Sequence, residues 1–315
     1  MERFSGCRVL TYCVMSNHVH ILLEVPPMQA GGLGDAELLE RLGVLYSDAF
    51  VAGVAKELED AHKEGDEAMA AEIHKRFTYR MHDLGQFMKG LLQRFSQWFN
   101  GRHQRTGTLW EQRFKSVIVE SGVAARTIAA YIDLNPVRAG MVSDPADYRW
   151  SGYGEAVGGG KKGNGKKSRE GIVRACMSHK GAGFEAEKWK EVSRIYRRAM
   201  GMALERKPSQ TQDLETQDTR KEGRSAGMND AEYLEGGADR GQPLPELSMA
   251  KMLRCRVRYF TDGAVIGSKE FVNEAFAAAR ERFTERRKDG ARRMRGSGAP
   301  AAGTLWSIRD LRVGI

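Results

Sequence analysis

Cysteine is scarce in this sequence, and long apolar runs are missing. Only four of the 315 residues are cysteine, and no two of them form a CxxC pair, which argues against a zinc ribbon or a disulfide framework. No window approaches the roughly 18 consecutive apolar residues of a membrane helix. No basic, apolar and small-residue leader pattern opens the chain. These absences favour a cytoplasmic protein with no membrane partner.

Acidic charge is also in deficit, although unevenly. Lys and Arg total 50 against 41 Asp and Glu, which gives a net charge of +9. Residues 35–80 hold 11 acidic and 6 basic residues, whereas residues 245–315 hold 8 acidic and 15 basic residues. A basic balance suits a polyanionic partner such as nucleic acid but does not prove one. The basic C-terminal region is equally well explained as an accessory DNA contact or as a solvated helix face.

The first part of the chain predicts a hairpin followed by helices. Residues 8–14 and 18–25 carry β-forming side chains on either side of a Met-Ser-Asn turn, so they predict an antiparallel hairpin. Residues 35–78 are rich in Ala, Glu, Leu and Lys and predict a helical insert. Its breaks are expected near residues 46–48 and 64–66.

Two more helices are predicted before residue 135. Residues 83–99 have apolar side chains at helical spacing, including Phe95 and Trp98, with Asp83 as the N-cap and Asn100-Gly101 as the stop. Residues 108–119 resemble a loop that enters a strand. Residues 124–134 predict a helix that Pro136 ends.

The composition changes after residue 153. Residues 154–242 predict a linker that is partly helical, over 187–203, and largely disordered, because residues 207–241 are polar and poor in aromatics. Residues 243–315 regain order signals and predict a separate C-terminal α/β extension, with strands at 256–260 and 305–306 and a helix at 271–287.

The pair His18 and His20 is the first chemical motif. Residues two apart on a strand point to the same face, about 6.6 Å apart at Cα, so two imidazoles there could share a divalent cation. Taken alone, the HxH pattern fits two ordinary histidines on a half-exposed strand better than it fits a metal site.

The second motif is the segment YIDLNPVR, residues 131–138. Tyr131 and Asn135 are four apart, so on a helix a phenol and a carboxamide would share one face. Taken alone, this pattern fits a core tyrosine and a turn-capping asparagine better than it fits an active site.

A third motif interleaves basic and aromatic residues over 102–115. Such a segment suits phosphate contacts and base stacking on a single strand, although by itself it fits a solvated loop with one buried tryptophan better. The candidate DNA contacts are Arg102, Arg105, Trp110, Arg113, Lys115 and, in the second motif, Arg138.

These segments occur together in one known family. YCVMSNHVHILLE, GTLWEQRFKS, YIDLNPVRAGMV and DYRWSGY stand in this order over residues 8–153. They resemble the REP-associated tyrosine transposases, which belong to the single-tyrosine HUH transposases. The resemblance implies an α+β fold for residues 1–153, with a ferredoxin-like antiparallel sheet and helices on one face. The 35–78 insert would be an addition to it.

The resemblance also implies a chemistry. Tyr131 would be the nucleophile, and His18, His20 and Asn135 would bind Mg²⁺ or Mn²⁺, although imidazole would also accept Zn²⁺. The implied activity is that of a DNA endonuclease and strand transferase, which cleaves single-stranded DNA near REP-like hairpins through a 5′-phosphotyrosine. The resemblance allows a homodimer as well as a monomer.

Two alternatives stay open. Only seven residues precede Arg8, whereas the family's domain starts with a further strand and helix. We therefore expect a domain that lacks both, and a relative that holds hairpin DNA without cutting it is the second hypothesis. An HxH phosphodiesterase for small nucleotides is a weaker third one, because its second HxT or HxS motif is missing.

Overall fold

The computed structural model describes residues 1–158, 165–177, 186–201, 265–285, 287–294 and 304–308. These form two compact units, each treated by itself below. Unit 1 comprises Met1–Thr11 and Ile21–Lys115, and unit 2 comprises Tyr12–His20 and the part of Ser116–Ile315 that is described. The expected mixed α+β class is confirmed, with far more helix than strand.

The predicted hairpin is confirmed. After a short helix α1 (Glu2–Ser5), strand β1 (Arg8–Val14) pairs with β2 (Val19–Glu24) in a two-stranded sheet. The turn closes through the Met15 amide, which donates to the His18 carbonyl over 2.9 Å. The chain passes from one unit to the other within each strand.

The helical insert is confirmed in three pieces, α2 (Asp35–Leu42), α3 (Asp48–Lys63) and α4 (Glu67–Thr78). Both breaks lie where they were predicted, because Ser47 and Asp66 cap the helices that follow them. The helices bury one core through their apolar stripes. The buried residues of this core include Leu38, Leu42, Val54, Leu58, Ile73 and Phe77.

Helix α5 (Leu84–Arg102) completes unit 1. Its predicted N-cap is confirmed, since Asp83 accepts from the Gln86 amide over 2.7 Å. The predicted stop at Asn100-Gly101 is wrong, because the helix continues to Arg102. The chain reverses only at Gln104, whose φ is +51°, in the left-handed region that ends helices.

Unit 2 contains the helix that was predicted over residues 124–134. A two-residue strand β3 (Ile118–Val119) leads into α6 (Val123–Asp133), which is followed at once by α7 (Asn135–Arg138). Pro136 was expected to end the helical course of the chain, but a second helix, α7, begins one residue before it. It stands in the first turn of α7, where its missing N–H costs no hydrogen bond.

Between a 3₁₀ turn at Pro145–Asp147 and residue 201, the described residues form three helices. They are α8 (Gly152–Gly158), α9 (Lys166–Cys176) and α10 (Ala186–Ala199). The expected helix at 187–203 is therefore confirmed up to Ala199. The disorder expected at 207–241 and the strand expected at 256–260 fall outside the described residues.

The last elements share a sheet with β3. Strand β4 (Val265–Gly267), helix α11 (Lys269–Ala278), a 3₁₀ turn (Arg280–Arg282), β5 (Arg292–Arg293) and β6 (Trp306–Ile308) end the described chain. The strand order is β3-β4-β6-β5, with β3 parallel to β4 and the other pairs antiparallel.

This sheet departs from two expectations. The C-terminal strands are not a separate extension, because β4 pairs with β3, and a two-residue strand carries no pattern that names its partner. The expected helix at 271–287 already ends at Ala278. Within the described ranges the hairpin and β3 belong to different sheets, so a ferredoxin-like sheet is not observed there.

Candidate active site

A buried carboxylate holds helix α6 in place. Tyr131 and Asp133 are two residues apart on the helix, so their side chains point to different sides. Asp133 is fully buried and accepts from the Tyr196 hydroxyl over 2.7 Å and from the Tyr153 amide over 3.1 Å. These two bonds tie α6 to α10 and α8, and they leave the Tyr131 side of the helix for other contacts.

The Tyr131 ring lies between a histidine and an arginine. It is 3% exposed. The His20 ring approaches it edge-on at 6.2 Å between centroids, and the Arg138 guanidinium carbon lies 5.0 Å from its centroid. Arg138 itself is exposed at the end of α7. All three residues belong to unit 2.

The two histidines share a face, as their spacing predicted. Their ring centroids are 4.8 Å apart with the rings nearly perpendicular. His18 stands just before β2 and is exposed, whereas His20 lies within β2 and is half-buried. One imidazole of the pair therefore faces Tyr131, and the other extends the site toward solvent.

Asn17 orients the exposed histidine. Its Oδ1 lies 2.7 Å from His18 Nδ1. Because an amide oxygen only accepts hydrogen bonds, Nδ1 carries the proton, and the Nε2 lone pair is available to a cation. We did not predict Asn17 from the sequence. A polar side chain directly before HxH is the signal that could have pointed to it.

Asn135 is placed one turn beyond Tyr131, but it is not joined to the histidines. Its Nδ2 donates to the Ile132 carbonyl over 3.3 Å. Among the described residues no hydrogen bond or ring contact links Asn135 to His18 or His20. Its predicted role as third ligand stays a prediction.

The electrostatics keep His20 neutral. Burial lowers the pKa of His20 to about 4, and electrostatic repulsion from His18 and Arg138 adds to this shift. Burial raises the pKa of the Tyr131 hydroxyl, while the charge and hydrogen bond of Arg138 act to lower it. At neutral pH the site therefore offers an uncharged imidazole beside a protonated phenol.

A divalent cation fits part of this donor set. Neutral imidazole nitrogens are good ligands for transition-metal ions and weaker ones for Mg²⁺. In the described ranges no group of three or more His, Cys, Asp or Glu residues is arranged to hold a metal ion. A cation at His18 and His20 would complete its coordination with an amide oxygen, water or a substrate phosphate.

The other predicted DNA contacts lie in unit 1. Arg102, Arg105, Arg113 and Lys115 are exposed, as expected for phosphate contacts. Trp110 is half-buried, and its Nε1 donates to the Leu92 carbonyl over 3.2 Å. These residues thus belong to a different unit from Arg138.

Comparison with known proteins adds no relative. No protein-family model, curated protein or solved structure matches this chain. No helix of the described chain has both the length and the apolar character that crossing a membrane requires. The functional assignment therefore depends on the motifs and on the geometry of the site.

Proposed function

We propose that this protein is a transposase that cleaves and rejoins single-stranded DNA near hairpins through a 5′-phosphotyrosine on Tyr131. The observation that carries the proposal is the convergence of His20 and Arg138 on the Tyr131 ring. A phenol, an imidazole pair and a guanidinium at one point suit attack on a phosphodiester. The motifs that resemble those of the REP-associated tyrosine transposases imply the same nucleophile.

The covalent step is balanced without another co-reactant. The Tyr131 hydroxyl releases its proton to water as its oxygen bonds to phosphorus. The bond between phosphorus and the 3′ oxygen of the neighbouring nucleotide breaks, and that oxygen takes a proton from water. The 5′ phosphate stays on Tyr131, so the phosphodiester energy is conserved for rejoining, which runs the same steps in reverse with another 3′ hydroxyl.

Each residue of the site has a distinct task. His18 and His20, with Asn135 as the third ligand, would hold Mg²⁺ or Mn²⁺. Such an ion, when bound, polarises the scissile phosphate and stabilises its developing charge. Arg138 counters the effect of burial on the pKa of Tyr131 and offers a cation to the phosphate oxygens.

A second candidate is a protein that binds hairpin DNA without cutting it. The burial of Tyr131 favours this candidate, because a phenol that is 3% exposed must move before a phosphate reaches it. The raised pKa of Tyr131 points the same way. The ferredoxin-like sheet, a homodimer and a cytoplasmic location stay predictions under either candidate.

Adduct formation tests the proposal. The full chain is incubated with Mn²⁺ and a 3′-labelled single strand that carries a hairpin between randomised flanks. Because Tyr131 would retain the 5′ phosphate, the label should move onto the protein in a denaturing gel. EDTA and Tyr131→Phe should each abolish the labelled band.

Tyr79→Phe is the matched control, since Tyr79 is 60% exposed in unit 1, and it should keep the adduct. An adduct that persists in Tyr131→Phe refutes the assignment of the nucleophile. Tight hairpin binding without nicking or adduct in the unmodified chain supports the second candidate.

A further inference from the structure

The apolar stripe of α5 extends beyond the core that it helps to form. Phe87 and Met88, in the first half, are buried with Cys7 in the unit 1 core. The same helical spacing continues to Phe95 and Trp98, yet these side chains are 42% and 58% exposed. The helical spacing of these residues was predicted from the sequence, but their exposure was not.

Phe95 and Trp98 belong to one contiguous group of aromatic rings. Phe95 is at its centre, with ring centroids 5.7 Å from Trp98, 6.0 Å from Phe99 and 5.8 Å from Trp110. The His103 ring continues the series at 4.3 Å from Phe99. Four of these five residues lie on or next to α5, and only Trp110 arrives from elsewhere.

A short folded loop delivers Trp110. The Arg105 amide donates to the Asn100 carbonyl, and Asn100 Nδ2 donates to the Gly107 carbonyl, both over 2.9 Å. Gly107 has a φ of +89°, which turns the chain back along the helix. With Nε1 bonded to the Leu92 carbonyl, the Trp110 ring is held rather than loosely attached.

The helix and loop that carry the rings hold basic but no acidic side chains up to Trp110, which Glu111 follows. Residues 84–110 contain Lys89, Arg94, Arg102 and Arg105 and no Asp or Glu. The Arg105 guanidinium carbon lies 5.9 Å from the Phe99 centroid. A predominantly basic segment with accessible aromatic faces is complementary to a polyanion that presents unpaired bases.

We propose that Phe95, Trp98, Phe99 and Trp110, flanked by Arg102 and Arg105, form a sequence-tolerant binding surface for single-stranded DNA. We call this set the aromatic–basic surface. Bases would stack on Trp98 and Phe95, and the arginines would contact phosphates. A duplex is disfavoured because its base faces are already stacked. The proposal rests on the proposed function for the choice of DNA and extends it to a surface built within unit 1.

A second copy of the chain is the main competing occupant. A two-fold interface would place the same patch of both copies face to face. It would bring the arginines of one copy against those of the other without any acidic partner within residues 84–110. Charge complementarity therefore favours the strand over the dimer.

The test measures binding rather than cleavage, in a Tyr131→Phe background. Fluorescence anisotropy follows an unstructured, labelled single strand and the same sequence as a duplex. Trp98→Ala and Phe95→Ala should each weaken single-strand binding by about 5- to 100-fold. Trp98→Phe should restore most of the affinity. In the double variant Arg102→Ala, Arg105→Ala, the slope of the logarithm of the binding constant against the logarithm of the salt concentration should become shallower by about 0.7 per lost phosphate contact.

Trp150→Ala is the matched control, because Trp150 is 53% exposed in unit 2 with the Arg149 guanidinium over its ring. It should bind the strand like the parent. Unchanged binding in Trp98→Ala and Phe95→Ala, or no single-strand binding by the parent at micromolar concentration, overturns the proposal. So does a dimer in sedimentation that Trp98→Ala dissociates with unchanged DNA affinity. If strand binding depends on Trp98 but the chain with Tyr131 intact forms no adduct in the assay above, the proposed function is refuted and the surface stands.

Discussion

The Arg138 guanidinium lies over the ring of Tyr131, 5.0 Å from its centroid. The two residues are seven positions apart, on consecutive helices that meet at Asn135. Pro136 stands in the first turn of α7, and Arg138 is the last residue of that helix. The contact places a permanent cation beside the hydroxyl that would attack phosphorus.

Removal of the Arg138 guanidinium should lower the rate of adduct formation more than it lowers the affinity for DNA. We expect Arg138→Ala to lower the rate of adduct formation by about 100-fold, the typical effect of losing one donor to a developing anion. Arg138→Lys should recover part of the rate. The measurement is single-turnover formation of the labelled adduct. Arg149→Ala removes an arginine from another exposed aromatic ring, that of Trp150, and should leave the rate unchanged. An unaltered rate in Arg138→Ala would contradict the assigned role.

The hydrogen bond from Tyr196 to Asp133 should contribute measurably to the stability of the fold. Tyr196→Phe removes the donor of a buried bond to a carboxylate. We expect a loss of about 1.5–3 kcal/mol in the free energy of unfolding, the usual value of a bond to a charged group. Chemical denaturation measures it, with Tyr79→Phe as the exposed control. If both variants unfold alike, the bond does not hold α6 to α10 as described.

The three-helix insert should show a pH-dependent stability. Asp35 accepts from His74 Nε2 over 2.7 Å and from His62 Nε2 over 2.9 Å, so it links α3 and α4 to α2. The hydrogen bond from His74, and then that from His62, lowers the pKa of Asp35 below 3.8. The Asp35 bond raises the pKa of His62 above 6.5, and Glu67, 3.5 Å from Nδ1, adds to this shift.

The directions of the two pKa shifts define a pH range in which both groups stabilise the insert. The His62 contribution is complete below about pH 6.5 and is lost as the pH rises through the raised pKa. The Asp35 contribution is complete above about pH 4 and is lost as the pH falls through the lowered pKa. The difference in unfolding free energy between the parent and Asp35→Asn should thus be largest between these values and smaller at pH 8. A Glu59→Gln variant, which alters only the exposed pair with Lys63, should show no such window. A flat difference from pH 5 to 8 would contradict the prediction.

Glu120 should stabilise the beginning of α11. Its carboxylate accepts from the Ser268 amide over 2.5 Å and from the Ser268 hydroxyl over 3.0 Å, while Ser268 caps the Phe271 amide. Glu120→Ala should cost about 1–3 kcal/mol, because it leaves donors at a helix N-terminus without their acceptor. Hydrogen exchange in α11 should rise in parallel. The exposed Glu270, in the first turn of α11, provides the control Glu270→Ala, and equal exchange in both variants would argue against the Glu120 contact.

Local patterns predicted the elements well. The hairpin, the two breaks in the insert and the Asp83 cap depend on neighbouring residues, so period and capping chemistry suffice to find them. The common face of His18 and His20 follows in the same way from their two-residue spacing. The error at the end of α5 is a boundary error of one or two residues, whereas the helix expected up to residue 287 ends nine residues earlier, at Ala278.

Distant partners could not be predicted in this way. Nothing in the pattern of residues 118–119 names β4 as their neighbour, and nothing in the spacing of α5 says that Phe95 and Trp98 lack a cover. Both depend on which surfaces other segments happen to bury. Asn17 and the Tyr196 bond to Asp133 escaped prediction for the same reason.

The sequence by itself determined which side chains share a face and where helices begin, because backbone geometry repeats over a few residues. Only the tertiary structure decided that the ring of His20 meets that of Tyr131 and that Arg138 returns over it. Those contacts join residues far apart or across a change of helix, and they arise from packing and burial, which no local period encodes.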